Sequence, residues 1–338
     1  MKVIVGAGGT GGHLYPALAL VEYIKEVEPD SEFLFVGTKD RIESEVVPQQ
    51  GYEYIGLNVR GLVGNPIKKG IAAAIFVKSI FTAKKIVKKF KPDIVIGFGG
   101  YPSASVVEAA NRLGYKTMIH EQNSIIGLTN KILIKNVDKI VCCYDKAYEN
   151  FPKDKTYKLG NPRASVIASI KPDDIFKKYH LNKNLPLVTI VMGSLGSKSV
   201  NEMMLKSLKT FEQKNYQVLY VTGKPYFEEM KTKLGKLNKN IKLVPYIDDM
   251  PSVLKNTTLV VSRAGASTLA EITAVGIPAI LIPSPYVAAN HQEYNARELA
   301  DRNAAMMILE ENLNSKDFVE KVDYILENII VQESMLKS

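Results

Sequence analysis

The sequence predicts an α/β protein built from two Rossmann-like domains, each a parallel sheet covered by helices, facing each other across a cleft. Three observations carry this. Short apolar runs alternate with segments of helical period along the whole chain, the signature of parallel sheets buried on both faces. Glycine loops sit between a strand and a helix in both halves. The alternation restarts after Gly160-Asn161-Pro162, so the boundaries expected are 1–160 and 161–338.

In chain order, Val3 to Val5 is the first strand and enters the loop Gly6-Ala7-Gly8-Gly9-Thr10-Gly11-Gly12. His13 follows, then a helix expected from about Pro16 to Val27, since proline suits a helix start where its missing N–H is no loss. Glu32 to Val36 is the next strand. Asp93 to Ile96 leads into Gly97-Phe98-Gly99-Gly100-Tyr101-Pro102-Ser103 and a helix through Ala110. Thr117 to His120 runs into Glu121-Gln122-Asn123, and Lys139 to Cys142 is one more strand. Gly160-Asn161-Pro162 reads as a linking turn without helical continuation.

In the second half, Leu187 to Val191 enters Gly193-Ser194-Leu195-Gly196-Ser197-Lys198-Ser199, with a helix from about Val200. Val218 to Val221, Lys242 to Val244, Leu259 to Val261 and Ala279 to Ile282 complete the strands. The stretch from Ser262 to Ala296 is the most informative. Arg263 to Ala266 is a tight turn, Ser267 and Thr268 are expected to cap the next helix, and Leu269 to Val275 has helical spacing. Glu271 is then expected in the first turn, beside a helix N-terminus suited to phosphates, where a carboxylate suits ribose hydroxyls. Gly276-Ile277-Pro278 ends the helix. His291, Gln292 and Asn295 follow with groups that suit sugar hydroxyls.

Composition narrows the classes. The chain has 338 residues, 46% of them hydrophobic, enough for two cores. No run of about 18 apolar residues exists, so no transmembrane helix is expected. Cys142 and Cys143 are adjacent and rarely pair, which points to a reducing compartment. A formal net charge of +9 favours anionic partners. A nucleic-acid binder would explain that charge, yet no reading motif is visible. No His/Cys/Asp cluster has metal-ligand spacing and no Asp-x-Asp occurs, so no metal is expected at the reaction centre.

The loops after the strands at 3–5, 93–96 and 187–191 share one property: glycine lets backbone N–H groups approach phosphate oxygens. Their competing reading is close helix–sheet packing. Gly6-x-Gly8-x-x-Gly11 alone would also fit an NAD(P)-dependent oxidoreductase, which would leave the second half unexplained. Among the four histidines, His13 beside its glycine loop is the first candidate for a general base, with loop-shaping as the alternative. Glu121 is the second. His120 reads as structural, His291 as a loop cap or sugar contact, and His180 as exposed.

Seven segments in order carry a resemblance: GGTGGH with Pro16, GFGGYPS, HEQN, GNP with Arg163, GS-x-GS, YIDDM, and the SR-x-GA…E…HQ…NA stretch. Over about residues 1–310 the chain resembles the MurG family, the lipid-linked N-acetylglucosaminyltransferases of peptidoglycan synthesis within glycosyltransferase family 28. The resemblance implies the GT-B fold and an inverting transfer of GlcNAc from UDP-GlcNAc to the MurNAc 4-hydroxyl of lipid I, giving lipid II and UDP. It implies no cofactor beyond the donor substrate. Carried over by position, Thr10, Gly11, Gly12 and Asn123 contact the donor, and Arg163 and Ser194 belong to the nucleotide site. Ile247 presents backbone to uracil, Ala266, Ser267, Thr268, Leu269, Ala270 and Glu271 hold phosphates and ribose, and Gln292 reads GlcNAc. Gly99, Gly100 and Tyr101 form the acceptor and phosphate loop. Some members carry an extra residue before the arginine of the GNP segment, which this chain lacks. The family's helix returning to the N-terminal domain is expected to be short or missing. A UDP-GlcNAc 2-epimerase shares the fold and donor and is the nearest rival reading.

Residues 67–91 set apolar side chains among lysines. Too short to span a bilayer, the segment suits docking on anionic lipid, with a solvated core helix as the alternative. Ile75, Phe76, Phe81, Lys84, Lys85 and Lys88 are the expected contacts. The resemblance implies a peripheral protein on the cytoplasmic face of the cell membrane, with UDP-GlcNAc, lipid I and the anionic surface as partners and no nucleic acid.

Overall fold

The computed structural model describes residues 1–59, 61 and 65–338. Contacts divide the chain between Ser165 and Val166.

The N-terminal unit holds a seven-stranded sheet of β1 (Lys2–Ala7), β2 (Glu32–Thr38), β3 (Glu53–Leu57), β4 (Ile94–Gly99), β5 (Lys116–Glu121), β6 (Lys139–Cys142) and β7 (Thr156–Lys158), in the order β3-β2-β1-β4-β5-β6-β7. Every pairing is parallel. The strand order reverses between β1 and β4, where α/β sheets of this kind open a crevice at their carboxyl ends. Four helices matter for the site: α1 (Gly11–Val27), α2 (Glu43–Gln49), α3 (Pro66–Phe90) and α4 (Tyr101–Asn111). Val3, Val5, Phe35 and Phe98 pack under α1 on one face; Ile4, Val36 and Val95 pack under α3 and α4 on the other.

The C-terminal unit repeats the plan with β8 (Leu187–Val191), β9 (Gln217–Val221), β10 (Ile241–Val244), β11 (Leu259–Ser262), β12 (Ala279–Leu281) and β13 (Met306–Met307), in the order β10-β9-β8-β11-β12-β13. These pairings are parallel too, and the order reverses between β8 and β11. Val188, Ile190, Phe211, Tyr220 and Phe318 form the larger core. Residues 329–337 form a last helix, whose Val331 and Met335 pack on that core.

Four expectations need correction. The first helix begins at Gly11, with Pro16 inside it; the Thr10 carbonyl accepts from the N–H groups of His13 and Leu14, so the glycines already wind as helix. Pro162 opens a helix, Pro162–Ser169, where a bare turn was expected; the Asn161 side chain accepts from the Arg163 N–H and starts it. Ser267 and Thr268 lie inside the helix Ala266–Val275; Gly265 is its N-cap and no side chain caps it. Glu271 is therefore the sixth residue of that helix, beyond its first turn. The glycine at the other end behaves as read, since Gly276 closes the helix in the left-handed conformation.

Cys142 ends β6 buried, and Cys143 follows it partly covered. Among the described residues no helix is long and apolar enough to cross a membrane.

Candidate active site

In the N-terminal unit the loops after β1 and β4 flank the strand-order reversal and interlock. The Nδ1 of His13 lies 2.8 Å from the Gly8 carbonyl oxygen and 3.4 Å from Thr10 Oγ1. A carbonyl only accepts, so Nδ1 carries the proton in the neutral ring and the basic lone pair is on Nε2. The second glycine loop supplies room for this. A Cβ on Gly99 would stand 2.7 Å from the imidazole, and one on Gly100 would stand 2.4 Å from the Gly8 oxygen. Close approach, with positive φ at both residues, is what these glycines provide. Tyr101 then opens α4. Thr10 precedes α1 and Gly11 and Gly12 begin it, so their early N–H groups belong to a helix N-terminus.

Glu121 closes β5 and is 1% exposed. Its Oε1 accepts from the N–H and the side-chain amide of Asn123 at 3.0 and 3.1 Å. Its Oε2 accepts from Gly127 N and Asn130 Nδ2 at 2.8 and 2.9 Å. Four donors thus occupy a carboxylate that stitches residues 121–130 together, which places Asn123 and leaves little lone-pair capacity for a proton. His120 is buried against Phe98, with Nε2 3.1 Å from the Gly160 carbonyl. Burial lowers its pKa, with the Gly160 contact and Glu121 opposing, and the ring is neutral. The Arg163 guanidinium lies over the Tyr15 ring, 5.7 Å from its centre.

In the C-terminal unit the loops after β8 and β11 line one cavity of about 740 Å³. It gathers three of the expected residues, Ser194, Thr268 and Gln292, with Lys198, Arg263, Ser284, Tyr226 and Tyr286. Ala266, Ser267 and Thr268 are the first three residues of a helix whose leading N–H groups have no intrahelical partner. The Gln292 side-chain oxygen accepts from the Ser284 N–H at 2.8 Å and holds the opposite wall. His291 bonds the Ala288 carbonyl through Nδ1 at 2.9 Å, as a loop cap would. Ile247, Ala266, Ser267, Leu269, Ala270 and Glu271 are not among the lining residues; Ile247 and Leu269 are core, so only their backbones are available to a ligand.

Sequence reasoning missed the floor of this cavity. Arg263 is 9% exposed. Its Nη2 donates to Ser197 Oγ at 2.8 Å and its Nη1 to the Ile282 carbonyl at 3.1 Å. Nη1 also stands 2.6 Å from Glu310 Oε2, an ionic contact without hydrogen-bond alignment. Ser199 donates to the other Glu310 oxygen, and Ser197 and Ser199 lie 3.1 Å apart. The serines of the glycine loop are therefore tied to a buried ion pair beneath it. Among the described residues, no three His, Cys, Asp or Glu side chains gather as a metal would need.

On α3, Ala72, Ser79, Ile80, Ala83 and Val87 are buried, and Ser79 bonds Ser105 of α4 at 2.6 Å. Phe76 packs inward and Ile75 is half-buried. The outward apolar residues are Ile67, Ile71, Val77 and Phe81, all more than half exposed. Lys84 lies over the Phe81 ring, and Lys85 and Lys88 are exposed.

The models of the glycosyltransferase family 28 N-terminal and C-terminal domains match residues 3–142 and 187–338. A curated protein of Leuconostoc mesenteroides, named UDP-N-acetylglucosamine–N-acetylmuramyl-(pentapeptide) pyrophosphoryl-undecaprenol N-acetylglucosamine transferase, is 45% identical over 99% of this chain and 93% of its own. A protein of the same name from Listeria monocytogenes is 44% identical over 96% and 91%. The crystal structure of Acinetobacter baumannii MurG superposes with a TM-score of 0.79 at 26% identity, covering 99% of this chain and 93% of that one. A putative UDP-N-acetylglucosamine 2-epimerase of Listeria monocytogenes reaches 0.72 at 14% identity over 100% and 91%, a likeness of fold alone.

Proposed function

The chain belongs to glycosyltransferase family 28, and on that premise we propose that it transfers GlcNAc from UDP-GlcNAc to the MurNAc 4-hydroxyl of lipid I, making lipid II and UDP. The observation that carries this is the nearly full-length identity to transferases of that name. Residues 161–338 are read as the donor domain and residues 1–160 as the acceptor and membrane domain.

The donor's diphosphate is assigned to the loop Gly193–Ser199 and the helix N-terminus at Ala266, Ser267 and Thr268. Backbone N–H groups and the Lys198 ammonium there meet charge that grows as UDP leaves. Gln292 is assigned to the sugar, Glu271 to the ribose, Ile247 to uracil through its backbone, and Ser194 and Arg163 to the nucleotide. Thr10, Gly11, Gly12 and Asn123 are assigned to the sugar and diphosphate, and Gly99, Gly100 and Tyr101 to the acceptor.

His13 is the general base in this reading. The acceptor hydroxyl proton passes to Nε2 while its oxygen bonds C1 of GlcNAc on the face opposite the diphosphate. The C1–O bond breaks and its electron pair leaves on UDP. The fixed Nδ1–H on Gly8 supports this, because it holds one tautomer with Nε2 basic. Glu121 fits a positioning role better than a second base, given its four donors.

Membrane contact is assigned to α3 through Ile71, Val77 and Phe81 with Lys84, Lys85 and Lys88, on the cytoplasmic face. Supporting this, the apolar residues are exposed among lysines. The deciding assay supplies the full chain with UDP-GlcNAc, with and without a lipid-linked MurNAc-pentapeptide acceptor. UDP release that requires the acceptor, with GlcNAc found on it, is expected. Conversion of UDP-GlcNAc to its 2-epimer without acceptor would overturn the reading in favour of an epimerase.

A further inference from the structure

Glu43 is the first residue of α2, fully buried, and remote in sequence from every motif above. Its Oε1 accepts from the Gly9 N–H at 3.0 Å, the Thr38 N–H at 3.0 Å and the Thr38 hydroxyl at 2.8 Å. Oε2 is buried and has no hydrogen-bond partner among the described residues. The Gly9 N–H and the Gly8 carbonyl are the two ends of one peptide unit. The carboxylate holds the N–H end, and His13 Nδ1 holds the carbonyl end at 2.8 Å. Carboxylate, peptide and imidazole thus form one chain of hydrogen bonds.

We propose that Glu43 is a positioning residue that orients and strengthens His13 through the Gly8–Gly9 peptide. An acceptor on an amide N–H moves electron density toward its carbonyl oxygen, and hydrogen bonds in series reinforce each other. The Gly8 oxygen then binds Nδ1–H more strongly and favours the imidazolium that forms when Nε2 takes a proton. A carboxylate paired directly with a histidine acts the same way; here a peptide stands between them. The packing is built around this unit. A Cβ on Gly8 would stand 2.9 Å from Glu43 Oε1, and one on Gly37 would meet the Glu43 stem at 2.6 Å. Tyr54 of β3 is a titratable neighbour of the carboxylate, its hydroxyl and the Glu43 stem both lying against Gly37. The Tyr54 hydroxyl donates to the Thr38 carbonyl, and its pKa is raised, by burial first and then by the charges of Glu43 and Asp40.

This inference rests on the reading of His13 as the base, and the test separates the two. The four histidines of the full chain are followed by NMR titration, with H13N assigning the His13 signal. E43Q keeps an oxygen for Gly9 and Thr38 but removes the charge. It is expected to lower the His13 pKa by about half a unit or more and to move the acidic limb of kcat/KM to lower pH by the same amount, at reduced plateau rate. T38V removes one donor and leaves the charge less compensated, so it is expected to raise the His13 pKa. Shifts of opposite sign support the proposal, because a merely structural role gives no such pair. An unmoved His13 pKa in folded E43Q overturns it. Should E43Q not fold, T38V decides: a raised pKa supports the link, and an unmoved or lowered one overturns it. If H13N instead keeps nearly full turnover, the base assignment fails, while the titration still decides whether Glu43 acts on His13.

Discussion

Single side chains divide into those the sequence announces and those only the fold brings forward. His13 stood out in the sequence as a candidate base, because a histidine beside a glycine loop suits proton transfer. Glu43 was not, since it meets Gly9 across 34 residues and sits in a segment with no motif. Glu310 was equally silent: it meets Ser199 across 111 residues. H13A is expected to lower turnover by about 10²–10⁴ while donor affinity, measured by calorimetry, changes little. E310A removes one member of a buried ion pair and leaves Arg263 uncompensated. Urea unfolding should register a loss of about 3–5 kcal/mol, and UDP should bind more weakly as Ser199 loses its anchor and the Arg263 that holds Ser197 loses its counter-charge. Undiminished stability in E310A would mean that the pair contributes nothing.

At the level of elements, strands were read well and helix starts badly. A buried parallel strand is a short apolar run whatever surrounds it, so β6 and β8 match their sequence limits. Helix starts depend on which backbone groups find partners. Thr10, Gly11 and Gly12 read as loop, yet the Thr10 carbonyl already serves the first turn of α1. The face of α3 was also hidden, because apolar residues fall on both its sides. Its inward set is now fixed by Ser79, Ala83 and Val87 against the core. Replacing Ile71 and Phe81 by Ser should leave stability within about 0.5 kcal/mol, since both are exposed. The same variant should sediment less with anionic vesicles, even at low salt. F76S should instead destabilise by about 1–3 kcal/mol, because the partly buried Phe76 ring packs against the core. Normal vesicle binding by the Ile71/Phe81 variant would remove α3 from the membrane contact.

Across the whole molecule, two parallel sheets covered by helices followed from periodicity, whereas the reversal of strand order in each, which sets the loops at carboxyl ends, did not. What periodicity also could not convey is how deeply polar groups are buried beside those loops. His120 is one of them, neutral in the fold because burial lowers its pKa. Unfolded, it titrates near 6.5. Below that pH the unfolded chain takes up a proton that the folded chain refuses, so stability falls as pH drops. Denaturant midpoints measured from pH 7.5 to 5 should decline, and H120N should decline less. Donor binding acts in the opposite direction. UDP-GlcNAc at about a hundred times its dissociation constant should add about 2.7 kcal/mol. Hydrogen exchange should then slow first at residues 193–199 and 265–268. Protection confined to other segments would move the donor site.

The adjacent cysteines at the end of β6 bear on how this protein can be handled. Burial is the main cause that raises both thiols, Cys142 to about 11. At that value only about one Cys142 in 10⁴ is thiolate at pH 7, and thiolate is the species that alkylating reagents consume. The native chain therefore offers a nearly silent background for labelling chemistry. A cysteine introduced at an exposed position of α3 could carry a fluorophore or spin label without first removing the two natural ones. Slow alkylation of the natural pair would then time the opening of the fold around β6.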